Sequence, residues 1–311
     1  MTRLLAILAL AAAGAVLAQA PADLAREAQR GNPAAREKLQ ALAAAGDTVA
    51  EHYMGQLYLS GRVVTKSEER AVEWFRRAAA KGDIASAHNL GVIHERASGA
   101  LRSPEEALKW YRFAAERGFA RSQANLGHLL SEKQDPEARQ WIEKAAAQKE
   151  PRGIYLLGRL HLDAGEDARA AGLMREAAEA KDRDAQYRLA LLYGVGRGVS
   201  KDERLALHWL RKAADQRQAE AQFLLAAVYA RGLYGVARDD IEAAGWLRRS
   251  ARQGHADAQY ALANAYAEGR GVTYDPNEAL GWIQLAAKNG HPQAAAALER
   301  IRGLLKKPEK P

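Results

Sequence analysis

The chain has 311 residues, no cysteine, and 46 basic against 38 acidic residues, for a net charge of +8. The missing cysteines exclude disulfides, thiolate-bound metals, thiol catalysis and a lipid-modified N-terminal cysteine. The basic residues are interspersed with acids, as in Glu68-Glu69-Arg70, which marks solvated helix faces and speaks against a nucleic-acid partner.

At the N-terminus, Arg3 is the only charged side chain before Asp23, and an apolar run extends from Leu4 to Leu17. Val16-Leu17-Ala18 then offers a small-residue cleavage site. Residues 1–18 read as a secretory signal peptide, because the run is short for a membrane span. An uncleaved anchor is the alternative. No later stretch is apolar enough to span a bilayer, so the expectation is a periplasmic or secreted protein without an integral membrane segment after cleavage. Residues 19–45 hold two helical pieces split at Gly31-Asn32-Pro33 and are predicted to cap the N-terminal end.

From residue 46 to 289 the chain is periodic. Tryptophan recurs at Trp74, Trp110, Trp141, Trp209, Trp246 and Trp282, at intervals of about 31–37 residues with one double interval that Leu173 divides. Each period predicts two helices. Helix A carries a large–small pair, Met54-Gly55, Leu90-Gly91, Leu126-Gly127, Leu157-Gly158, Leu189-Ala190, Leu225-Ala226 and Leu262-Ala263. Paired glycines then make a turn, as in Gly196-Arg197-Gly198-Val199 and Gly269-Arg270-Gly271-Val272. Helix B starts at a cap (Ser103, Asp202, Asp239, Asp275), runs through Ala-x-x-Trp and ends in an alanine pair. The periods centred on Trp141 and Leu173 are shorter, lack the Gly-x-Gly turn and are predicted to turn more tightly. Residues 290–305 predict a capping last helix, and 306–311 a flexible tail. The fold class is therefore all-α, a solenoid of about seven helix-turn-helix repeats in which each repeat buries its apolar face against its neighbours. The tryptophans are the expected structural core.

The pattern Ala-x-x-x-Leu-Gly-x-x-Tyr, Gly-x-Gly-Val-x-x-Asp and Ala-x-x-Trp-x-x-x-Ala-Ala-x-x-Gly-His, nearly complete over residues 254–289, resembles the Sel-one-like repeat (SLR) family, a relative of the tetratricopeptide repeat. The resemblance covers about residues 46 to 300. It implies antiparallel helical hairpins in a right-handed superhelix, used for protein–protein interaction. Periplasmic relatives implied by it include envelope-assembly adaptors and immunity proteins against secreted toxins.

No catalytic constellation, metal site or cofactor motif emerges. His94 and His161 occupy places where other repeats have Tyr; His52 and His88 are equivalent and supply too few ligands for zinc. The candidate binding positions lie three residues before the small helix-A residue: His52, His88, Tyr155, Tyr187, Phe223 and Tyr260, with Ala124 interrupting. By analogy with tetratricopeptide repeats these face a concave groove. Helical spacing leaves groove and core both open. A groove predicts partly exposed rings at Tyr187 and Tyr260. The expected role is a non-catalytic scaffold for a protein or peptide partner in the cell envelope. The alternatives are an envelope hydrolase using groove side chains and a structural oligomerising subunit.

Overall fold

The computed structural model describes residues 19–305; the expected signal peptide and the 306–311 tail lie outside them. Among the described residues all regular structure is helical. A leading pair, α1 (Pro21–Gln29) and α2 (Pro33–Ala44), precedes seven hairpins: α3 (Thr48–Ser60) with α4 (Glu68–Ala80), α5 (Ile84–Arg96) with α6 (Pro104–Glu116), α7 (Ala120–Glu132) with α8 (Glu137–Ala147), α9 (Pro151–Asp163) with α10 (Asp167–Glu179), α11 (Arg183–Val195) with α12 (Glu203–Asp215), α13 (Ala219–Arg231) with α14 (Asp240–Ala251), and α15 (Ala256–Glu268) with α16 (Pro276–Lys288). The last helix is α17 (Pro292–Leu305).

Local chemistry sets these boundaries. Asn32, Asp47, Ser67, Asp83, Ser103, Asp182, Asp202, Asp239 and Asp275 each accept a hydrogen bond from a free N–H in the first turn of the helix that follows. Helices α3, α11, α13 and α15 end on left-handed glycines, Gly61, Gly196, Gly232 and Gly269. The second glycine of the Gly-x-Gly turn has a separate reason. A Cβ on Gly271 would sit 1.8 Å from the Asp240 carbonyl oxygen, and one on Gly198 2.1 Å from that of Asp167. The turn is thus pressed against the start of the preceding repeat's second helix. The two short repeats close through Lys133–Pro136 and Ala164–Glu166, without such a turn.

The described residues divide into two compact units, with the boundary between Lys144 and Ala145. In the first, α1 and α2 pack on α3 and bury Leu24, Leu39 and Ala43 with Met54 and Leu57. In the second, each helix from α9 to α17 packs against the next. All six tryptophans touch a core cluster, but only Trp141 and Trp246 are buried, while Trp74, Trp110, Trp209 and Trp282 are half-buried. The expectation of a buried tryptophan core is corrected in this respect. The reason is that the ring lies at the edge of helix B. Arg77, Lys144, Lys212 and Arg249, three residues on, lie over the rings of Trp74, Trp141, Trp209 and Trp246 at 4.1–5.4 Å. The indole N–H groups of Trp110, Trp246 and Trp282 donate to Glu106, Glu242 and Glu278, four residues back.

In the first five repeats the deepest position is the residue after the tryptophan or after Leu173. Phe75, Tyr111, Ile142, Met174 and Leu210 are all essentially inaccessible. They meet the small residue of helix A. A Cβ on Gly55 would lie 2.6 Å from the Phe75 ring, on Gly91 2.5 Å from Tyr111, on Gly127 2.6 Å from Ile142, and on Gly158 3.0 Å from Met174. Where helix A carries Ala190 or Ala226, the facing residue is Leu210 or Leu247 in the same cluster. Size on one helix is compensated by size on the other, as close packing requires.

A polar seam runs alongside. Gln186, Gln222 and Gln259 are buried, and each donates to a carbonyl of the preceding repeat: Ala178, Ala214 and Ala251. Each also accepts from a carboxamide at the end of its own second helix: Gln216, Gln253 and Asn289. In the first repeat Glu51 holds this place. It is fully buried, and its carboxylate takes Arg77 at 2.9 Å and Lys81 at 2.8 Å. Arg77 and Lys81 also reach the Ala43 and Gly46 carbonyls, so an ionic joint replaces the neutral one.

Candidate functional site

The six positions singled out from the sequence all lie on the first helices of their repeats. Several touch the residue that caps the first helix of the next repeat. His52 Nδ1 lies 3.1 Å from Asp83 Oδ1 and 2.8 Å from Ser86 Oγ. Burial raises the Asp83 carboxyl, but hydrogen bonds from His52, the Ser86 hydroxyl and the Ser86 N–H outweigh it and bring the pKa to about 2. His88 packs its ring 5.0 Å from Phe119, and its Nδ1 lies 2.9 Å from Ser122 Oγ. Burial, and then Arg121 and Arg96, hold this imidazole down at about 4, so it is neutral near pH 7. Phe223 stacks on His255 at 5.0 Å and Tyr260 on His291 at 4.2 Å. Both histidines cap their helices through Nδ1, which accepts from the Ala258 and Ala294 N–H groups. Tyr155 is 6% exposed, under the Arg152 guanidinium, so it offers no free ring. Tyr187 and Tyr260 are half-buried. His52, His88, Phe223 and Tyr260 are thus joints to the helix that follows, and all four are half-buried.

One of them, Phe223, opens onto a feature that the sequence reading missed. A cleft of about 300 Å³ lies in the second unit between α13, α14 and α15. Its walls are Ala226, Ala227 and Ala230 on α13, Ala243, Ala244 and Leu247 on α14, and Ala261 and Ala265 on α15. Its polar rim is Arg231, Asn264, Arg270 and Asp240. Asp240 is taken by Arg238 at 2.8 Å, and Arg270 holds Glu268 at 2.6 Å. The side chains of Arg231 and Asn264 have no partner among the described residues.

The preceding repeat shows why the cleft exists. Its equivalent groove, between α11, α12 and α13, is filled. Leu191, Leu207, Leu224 and Val228 stand where the cleft has Ala227, Ala244, Ala261 and Ala265. Leu207, Leu224, Val228 and Tyr234 all pack into one cluster there. Tyr234 is inserted in the Gly232–Val236 turn, and its hydroxyl comes within 2.8 Å of where a Gly194 Cβ would stand. The Gly269–Val272 turn lacks that residue. Three apolar or small positions also become polar: Val195 corresponds to Arg231, Ala227 to Asn264 and Leu233 to Arg270. The cleft thus presents a wall of methyl groups with a polar rim. Among the described residues no three His, Asp or Glu side chains are grouped to hold a metal.

The Sel1 repeat family model matches residues 48–83, 84–119, 120–150, 183–217, 219–255 and 256–291. The chain belongs to the Sel1-repeat family. The unmatched stretch, residues 151–182, is the α9–α10 hairpin, which packs as the other hairpins do. Among solved structures, a Sel1 repeat protein from Oxalobacter formigenes is 29% identical, covers 86% of this chain and 80% of its own, and superposes with a TM-score of 0.59. The protein c5321, a protective antigen present in uropathogenic Escherichia coli strains and displaying an SLR fold, is 31% identical over 95% of this chain and 67% of its own, with a TM-score of 0.57. Yeast Tom70, 15% identical over 88% of this chain and 60% of its own at a TM-score of 0.53, shares the fold alone. No curated protein matches the chain. Sel1 repeats are typically non-catalytic scaffolds for protein interaction, and no helix among the described residues is long and apolar enough to cross a membrane.

Proposed function

We propose that this Sel1-repeat protein is exported to the periplasm and there holds a protein or peptide partner on the face built from its first helices. The observation that carries the reading is the open cleft beside Phe223, in a stack whose preceding groove is filled by its own side chains. Export is supported by the apolar segment after Arg3. A scaffold fits the chemistry, because the rim offers hydrogen-bond donors without a nucleophile and base in register. The test is capture from an envelope extract with the tagged, exported chain, with N-terminal mass analysis of the same sample. A start near Gln19 and a partner retained at stoichiometric level are expected. A cytoplasmic product that keeps Met1 would overturn export, and an empty eluate would overturn the scaffold role.

A further inference from the structure

We propose that the α13–α14–α15 cleft is a receptor for the C-terminal end of a peptide chain with a small aliphatic last residue. The inference rests on the scaffold reading and names what the scaffold grips. Volume comes first: about 300 Å³ lies at the lower end of ligand pockets, which suits a chain end rather than a domain surface. Shape is next. The walls are methyl groups from Ala226, Ala227, Ala243, Ala244, Ala261 and Ala265, which accept an aliphatic side chain of modest size. Charge decides the rest. The lining carries Arg231 and Arg270 against Asp240, a surplus of one positive charge, and Asp240 is already occupied by Arg238. Arg231 is the free guanidinium, and its planar fork suits a carboxylate.

Asn264 separates a peptide from a simple lipid acid. Its carboxamide is half-buried and unpartnered among the described residues, and it carries both a donor and an acceptor. A terminal peptide group answers both, with its own C=O and N–H. A fatty acid would leave the acceptor unmet, which costs binding free energy in a partly buried site. The preceding groove shows that the same backbone closes when leucines are supplied, so the opening follows from these particular side chains.

The experiment measures fluorescence anisotropy of the purified chain with labelled pentapeptides covering all twenty last residues, each as free acid and as amide. Free acids ending in Ala or Val should bind best, and amidation should weaken binding about 10- to 100-fold, as expected for loss of a charge-assisted hydrogen bond. Arg231→Gln should remove most of the preference for acid over amide. The triple variant Ala227→Leu, Ala244→Leu, Ala261→Leu installs the residues of the filled groove. It should abolish binding while its melting temperature stays level or rises. Asn264→Ala is the milder second variant and should weaken acid and amide alike. Equal binding of acids and amides, or full binding by the triple leucine variant, would overturn the proposal. So would displacement of peptide by decanoate at equal concentration, which would reassign the cleft to lipid acids. An envelope partner captured equally by parent and triple variant, without peptide selectivity, sinks the cleft and leaves the scaffold standing. Selective peptide binding with no captured protein does the reverse.

Discussion

Gly91 and Tyr111 provide the sharpest test of how the repeats interlock. Gly91→Ala places a Cβ 2.5 Å from Tyr111 Cδ1 and 2.6 Å from Cε1, far inside contact distance. The ring has no room to retreat, since Tyr111 is fully buried and its hydroxyl donates to Glu95 at 2.5 Å. Overpacking of this kind costs about 1–3 kcal/mol. Alanine returns about 0.5–1 kcal/mol of helix propensity, so a net loss of up to about 2.5 kcal/mol is expected. Tyr111→Leu alone leaves a void beside the glycine and costs about 2–4 kcal/mol. The two changes together recreate the pairing of Ala190 with Leu210, so the double variant should lose less than the sum by about 1–3 kcal/mol. Urea unfolding gives the three differences, and hydrogen exchange of α5 and α6 amides localises them. A stabilising Gly91→Ala, or strict additivity in the double variant, would refute size compensation.

Three further outcomes follow from the same structure. Glu51→Ala should cost about 1–3 kcal/mol in urea unfolding, since Arg77 and Lys81 reach solvent when released, and Glu51→Gln with Lys81→Gln should recover most of it by restoring the neutral joint. Gly271→Ala, with φ at +66° and the Asp240 carbonyl in the way, should lower the melting temperature well beyond Gly235→Ala, whose Cβ meets open space; equal shifts would mean that the turn is not pressed on α14. The folded pKa of His88, about 4, lies below its ordinary 6.5. The stability this provides is full above pH 6.5 and is lost as pH falls toward 4, up to about 3 kcal/mol. Melting of the parent should therefore fall faster between pH 7 and 5 than melting of His88→Gln, and parallel curves would remove His88 from the account.

The repeat, the caps and the glycine turns were legible in the sequence because each is written locally, in residues a few positions apart. Depth was not. Trp74 and Phe75 are neighbours in sequence, but successive helix positions point about 100° apart, and a periodic marker does not say which of two adjacent large residues faces inward. Nothing local to Glu51 marks it as buried, because its two cations arrive from another helix. Spacing placed the ring positions on one helix face, but the contacts of His52, His88, Phe223 and Tyr260 are with residues about thirty positions downstream, beyond the reach of helical spacing. The cleft was hidden for a different reason. Register arguments attend to what repeats share, and the cleft is made by what α13–α15 do not share with α11–α13.

The buried carboxamide seam bears on how such a chain changes length. Gln186, Gln222 and Gln259 each accept from a carboxamide, of Gln216, Gln253 and Asn289, in successive repeats, so the junctions are chemically alike. An in-frame duplication of residues 219–255 would meet matching donors and acceptors at both seams. The same insertion beside Glu51 would present a carboxylate to partners that carry no charge. Insertion or loss of whole units is thus expected to be tolerated better among the carboxamide joints of the second unit than at the ionic joint of Glu51.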